Sequence, residues 1–167
     1  MIPPIGLSIA FWFHMLATVL WIGSLASLAL VVLPAAQRSL DSRSYNIFLE
    51  GLQRRLDPLG WFCLAVLAGT GMFQLSVNQN YHSLLAVDSP WAAAILLKHS
   101  VYFLMIVVSA YLTWGLLPEI RRAALRLSQG KDVPEMERIQ RRSVRLLRLN
   151  LLLAVVVLAL TAFARVS

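Results

Sequence analysis

Apolar residues run almost unbroken through four stretches of the chain, roughly 5–33, 58–77, 91–117 and 149–164, and the polar residues gather between them. Each stretch is near the ~20 residues with which an α-helix crosses ~30 Å of hydrocarbon. The first is too long, and lacks the basic start, to be read as a cleaved signal peptide. The pattern therefore predicts an all-α integral membrane protein, a single transmembrane domain over residues 1–167 built as an up-down-up-down four-helix bundle. Pro3-Pro4 opens the first helix, and Pro34 is expected to close it. Asp88-Ser89-Pro90 is a helix start, with a capping side chain followed by proline at the first turn. The third helix is expected to run past Pro118 through Arg126. Gly130 and Pro134 then mark a turn before a basic amphipathic stretch that enters the fourth span. Tyr45, Leu49, Leu52 and Leu56 form a helical stripe ahead of Pro58, which predicts a short amphipathic helix lying along the membrane interface.

Composition agrees with that pattern: 59% of residues are hydrophobic and only 14% charged, with a mean hydropathy of +0.70. Charge then adds a direction. Four arginines lie in 36–57, and eight arginines and Lys131 lie in 119–148, so thirteen of the fifteen basic residues occupy two connections on one side. The positive-inside rule makes that side cytoplasmic, with both termini and the 78–89 loop outside and the cell membrane as the location. The arginine clusters abut the spans and form no folded basic domain, so the net charge of +7 reads as topology and no nucleic-acid partner is expected. Cys63 is the one cysteine, which excludes an intramolecular disulfide and points to a buried thiol.

Ionisable residues inside the apolar runs carry the candidate chemistry, because a charge in hydrocarbon is kept there for a reason. Lys98 and His99 stand side by side in the third span and His14 in the first. His14 lies about 15 Å along its helix from Pro4, and His99 about 13 Å from Pro90, so the imidazoles should share a depth. The first and third helices are diagonal neighbours in such a bundle, and two histidines facing across the core are a heme-binding arrangement. Stepping from His14 gives Ala17, Trp21, Ser24 and Leu28 as an interior stripe, and from His99 gives Tyr102, Ile106, Ser109 and Thr113. Gly60, Gly71, Gln74 and Asn78 share a face of the second helix, where Gly71 would leave room for a macrocycle near the histidine level. Lys98, about 100° around the helix from His99, is expected to snorkel outward and pair with a heme propionate, with Arg165 assisting or simply anchoring its helix. His82 is read as a surface residue of the outer loop.

"FHMLATVLWIGSLASLALVVLP", "AGTGMFQ", "LLKHSVYFLMIVVSAYLTWGLLPEIRR" and "RLLRLNLLLAVVVLALTAFA" together resemble the copper resistance protein D (CopD) family over most of the chain. The resemblance implies a four-helix membrane unit engaged in copper handling, by uptake across the cytoplasmic membrane. A more distant resemblance is to the HemJ-type protoporphyrinogen oxidases, which implies heme on a first-helix histidine beside a His and a Lys of the third. The order there is similar to H-x-K and is reversed here in Lys98-His99, which argues against the oxidase activity and leaves a heme site standing.

Copper(I) prefers soft sulfur ligands. Met15, Met72 and Met105 lie in the spans without pairing on one face, and Met15 and Met72 sit one residue off the interior stripes, so packing is their expected role. The resulting expectation is heme b held by His14 and His99 as metal ligands, with Lys98, Gly71 and Tyr102 around it. Membrane electron transfer would then be the work, as a homodimer or a subunit of a larger redox complex in the lipid bilayer, and not as a stand-alone enzyme; no catalytic residue is assigned. Copper transport, with copper at the same histidines, is the alternative, and a HemJ-like tetrapyrrole oxidase the third.

Overall fold

A computed structural model describes residues 4–78, 89–129, 133 and 135–166 of the chain. The loop with His82 and Asp88, and the Gly130 and Pro134 positions, lie outside the described residues. The described residues form α1 (Pro4–Ala26), α2 (Leu33–Ser39), α3 (Ser42–Ser76), α4 (Pro90–Ala110), α5 (Leu117–Ser128) and α6 (Met136–Val166). Two π-helical turns, Ser27–Val32 and Tyr111–Leu116, join α1 to α2 and α4 to α5 without a break. Four continuous helices result, each long and apolar enough to cross a bilayer. Large apolar side chains such as Ile5, Phe62, Phe103 and Leu152 cover their outer surfaces, as lipid-facing positions require.

Proline explains the widened turns. A proline ring collides with the carbonyl four residues back, and an α-turn offers that carbonyl no escape. Here the turn before each proline opens: the Leu33 N–H bonds to the Leu28 carbonyl ahead of Pro34, and the Leu117 N–H to the Leu112 carbonyl ahead of Pro118. Pro34 therefore does not close the first helix, which runs on to Ser39; the third passes Pro118 as expected, to Ser128. The two turns stand 84 residues apart (27 to 111, and likewise 34 to 118). The same offset carries Trp21 onto Met105, Leu33 onto Leu117 and Ala36 onto Ile120, all of them buried. It also carries His14 onto Lys98. The chain is thus a tandem of two helical hairpins.

Packing follows the tandem. The first helix packs closely on the second and the third on the fourth, while the second meets the third chiefly through α5 and the first meets the fourth. The first and third helices are diagonal. Two buried clusters fill the bundle. One, toward the basic end, joins Leu28, Leu33, Tyr45, Leu49, Leu116, Ile120 and Leu147. The other, toward the far end, joins Ala17, Trp21, Cys63, Leu64, Met105 and Ala154. Trp21 fits because Gly60 faces it, its Nε1 lying 3.8 Å from where a Cβ would be.

Around residues 42–57 the structure corrects the sequence reading. Residues 42–76 form one 35-residue helix with Pro58 inside it, not an interfacial helix followed by a span. Tyr45 and Leu49 are buried in the core, with Leu52 and Leu56 packed against it. Polar contacts seal the same face: Gln140 donates to the Asn46 side-chain Oδ1 at 2.9 Å, and Glu50 pairs with both Arg54 and Arg121. An apolar stripe has the same spacing whether lipid or protein covers it, and here protein does.

Candidate functional site

His14 is positioned by the second helix. Its Nδ1 lies 2.8 Å from the Thr70 hydroxyl oxygen, and that hydroxyl donates its own proton to the Val66 carbonyl at 2.6 Å. The threonine can therefore only accept, so Nδ1 carries the proton and Nε2 presents a bare lone pair. His99 reaches the same tautomer by another route. Its Nδ1 lies 2.7 Å from the Ile95 carbonyl, which has no proton to give, so again Nε2 is free. Orienting bonds of this kind on the remote ring nitrogen are how proteins prepare imidazoles for metal. Both rings are half-buried.

Gly71 lies beneath His14: a Cβ on it would stand 3.5 Å from the imidazole Cε1. The space that this glycine leaves is taken by the histidine ring. Gln74, one turn on, donates to the Ala10 carbonyl at 3.5 Å, so this face of the second helix is turned to the first. Tyr102 spans to the second helix, its hydroxyl donating to the Leu64 carbonyl at 2.6 Å and tying one hairpin to the other.

Lys98 departs from its expected course. It is half-buried and lies within charge range of His14. The tandem explains this, since Lys98 occupies in the second hairpin the interior position that His14 occupies in the first. Arg165 is exposed in the last turn of its helix, which fits an anchor.

Soft donors lie one layer toward the basic end. Cys63 and Met105 are each 1% exposed and belong to the same buried cluster. Cys63 is seven residues from Thr70 and Met105 six from His99, about 10 Å along their helices from the histidine level. Met15 and Met72, by contrast, lie off the interior stripes as expected but are not packed in the core: they are 66% and 48% exposed, where lipid covers them. No pair of sulfurs shares one helix face, so local spacing gives no sign of the Cys63–Met105 layer; only the packing of two helices brings it together. Among the described residues no group of three or more His, Cys, Asp and Glu gathers at one point.

The family model for CopD, copper resistance protein D, matches residues 50–164, from the second helix to the fourth. No curated protein and no solved structure matches the chain.

Proposed function

The chain belongs to the copper resistance protein D family, and on that premise we propose that it moves copper ions across the membrane through the interior of the bundle. The observation that carries this reading is the pair of imidazoles whose Nε2 lone pairs are left free by the bonds to Thr70 and Ile95. Copper(I) entering at the far end would exchange water for those two nitrogens. It would then pass to the sulfurs of Cys63 and Met105 and leave toward the arginine-rich end. Imidazole and thioether or thiolate are the ligand types that hold copper(I), and two-ligand sites release it readily to the next. His14 stands outside the matched residues, so its part rests on the geometry alone.

The test is copper accumulation in expressing cells. Met105→Leu and Cys63→Ser should each cut accumulation about tenfold, the scale of a lost metal contact. Met15→Leu and Met72→Leu should leave it unchanged, because both side chains face lipid. Equal effects from the lipid-facing and interior methionines would sink the route. Direction is tested separately, from the arginine distribution: reporter fusions at the C-terminal Ser167 should behave as external and those near Gly130 as cytoplasmic. The reverse pattern would turn uptake into export.

A second reading keeps heme b between His14 and His99 as a membrane electron carrier. What favours it is Lys98, whose cation beside His14 suits a propionate better than a bare copper ion.

A further inference from the structure

A cavity of about 90 Å³ lies between the two core clusters, bordered by residues of all four helices. Both π-turns open onto it, through Leu28 on one side and Leu112 and Thr113 on the other. Its lining brings together the side-chain oxygens of Ser24, Gln53, Asp57, Ser109, Thr113 and Asn150, beside the indoles of Trp21 and Trp61. The hydrogen bonds there leave an excess of acceptors. Asn150 gives its Nδ2 proton to Ser109 at 2.9 Å, and its Oδ1 has no partner although the residue is 2% exposed. Gln53, 9% exposed, likewise has an unpartnered Oε1. Thr113 accepts from the Trp61 indole at 3.4 Å, and its hydroxyl is placed to interact with the Asp57 carboxylate.

We propose that this cavity binds a hard monovalent cation, an alkali ion or hydronium, with Asp57 as the counter-charge and the Gln53 and Asn150 amide oxygens as ligands. Buried acceptors without donors call for an occupant that supplies positive charge. Oxygen ligands select hard ions, and one carboxylate matches one positive charge. The volume suits a small ion with water, which takes ~30 Å³ per molecule. The charged groups around Asp57 are Arg121 of α5 and Glu50 of its own helix. Arg121 lies 3.4 Å from the Glu50 carboxylate and within charge range of Asp57, but among the described residues it forms no direct ion pair with Asp57. The first helix brings Trp21, Ser24, Leu25 and Leu28 and the fourth Leu147 and Asn150, none of which carries a charge. Cys63, a sulfur donor of the copper reading, also borders the cavity, but the ligands assigned here are the oxygens of Asp57, Gln53 and Asn150, and the proposal stands without that reading.

The experiment is thermal unfolding of the purified full chain in nanodiscs, with a copper chelator present throughout. Lithium, sodium, potassium and N-methylglucamine chlorides are titrated at constant ionic strength across a pH series. Wild type should gain stability with one of the small alkali ions, or, if hydronium is the occupant, with falling pH alone. Asp57→Asn should lose whichever dependence wild type shows. Asn150→Leu supplies a second arm, because it leaves Asp57 and Thr113 in place and removes one acceptor: the dependence should persist with its midpoint about tenfold higher. A wild-type protein that responds identically to every cation, and whose pH response Asp57→Asn leaves unaltered, holds neutral water only and overturns the proposal. An unchanged midpoint in Asn150→Leu overturns the ligand assignment.

Discussion

His14→Ala is expected to lower copper accumulation on the order of 100-fold, and His99→Ala to do the same. On the copper reading each change deletes one of two neutral nitrogen donors, and among the described residues no group of three or more His, Cys, Asp and Glu gathers there to compensate. Thr70→Val is the more telling variant. It leaves the imidazole in place but removes the oxygen that holds its Nδ1 proton, so the ring can turn and exchange tautomers; a loss of about tenfold is expected. His99 needs no such variant, because its orienting partner is a main-chain carbonyl. Lys98→Met separates the two functional readings. With copper as cargo, removal of a cation beside His14 should raise occupancy and transport. With heme b, the purified protein should show low-spin bands that Lys98→Met preserves while the reduction potential falls. Full copper uptake by His14→Ala, in a protein that carries no heme, would remove the histidines from both readings.

Leu49→Ala is expected to cost about 2–5 kcal/mol of stability, the range for truncating a leucine in a closed core. Leu49 is 1% exposed and packs in the basic-end cluster. Were residues 42–57 a separate helix floating at the interface, the leucine would rest on lipid and its truncation would hardly be felt. Phe62→Ala gives the comparison, since Phe62 is 66% exposed on a lipid-facing surface and should cost under about 1 kcal/mol despite its size. Unfolding from mixed micelles reads both. Near-equal costs for the two would return the 42–57 segment to the membrane surface.

Helix number, span placement and the inward faces of the first two helices are legible in the sequence because hydrocarbon admits few solutions. Ala17, Trp21 and Leu28 are buried as the stripe from His14 predicts. On the third helix the stripe from His99 runs slightly off the core, which centres on Met105 and Val108. The tandem offers the correction: aligning the prolines of "VVLP" and "GLLP" sets Lys98, not His99, opposite His14 in the repeat, and Met105 opposite Trp21. Helical spacing carries no such information, since it fixes angles within a helix and not the rotation of one helix against another. The cavity is illegible for a related reason. Gln53 and Asp57 sit in a stretch that reads as a basic connection, and Asn150 sits among leucines; nothing local joins them.

The hairpin pairing bears on how the protein enters the membrane. The first helix already buries Trp21 and His14 against the second, and the third has its closest partner in the fourth. During synthesis the first hairpin can close before the third helix has left the ribosome, with its histidine already bonded to Thr70. What remains for the second hairpin is a side-by-side docking, guided by α5 against the second helix and fastened by Tyr102 to the Leu64 carbonyl. Assembly is then a meeting of two prefabricated halves, and the oxygen-lined cavity comes into being only when they join.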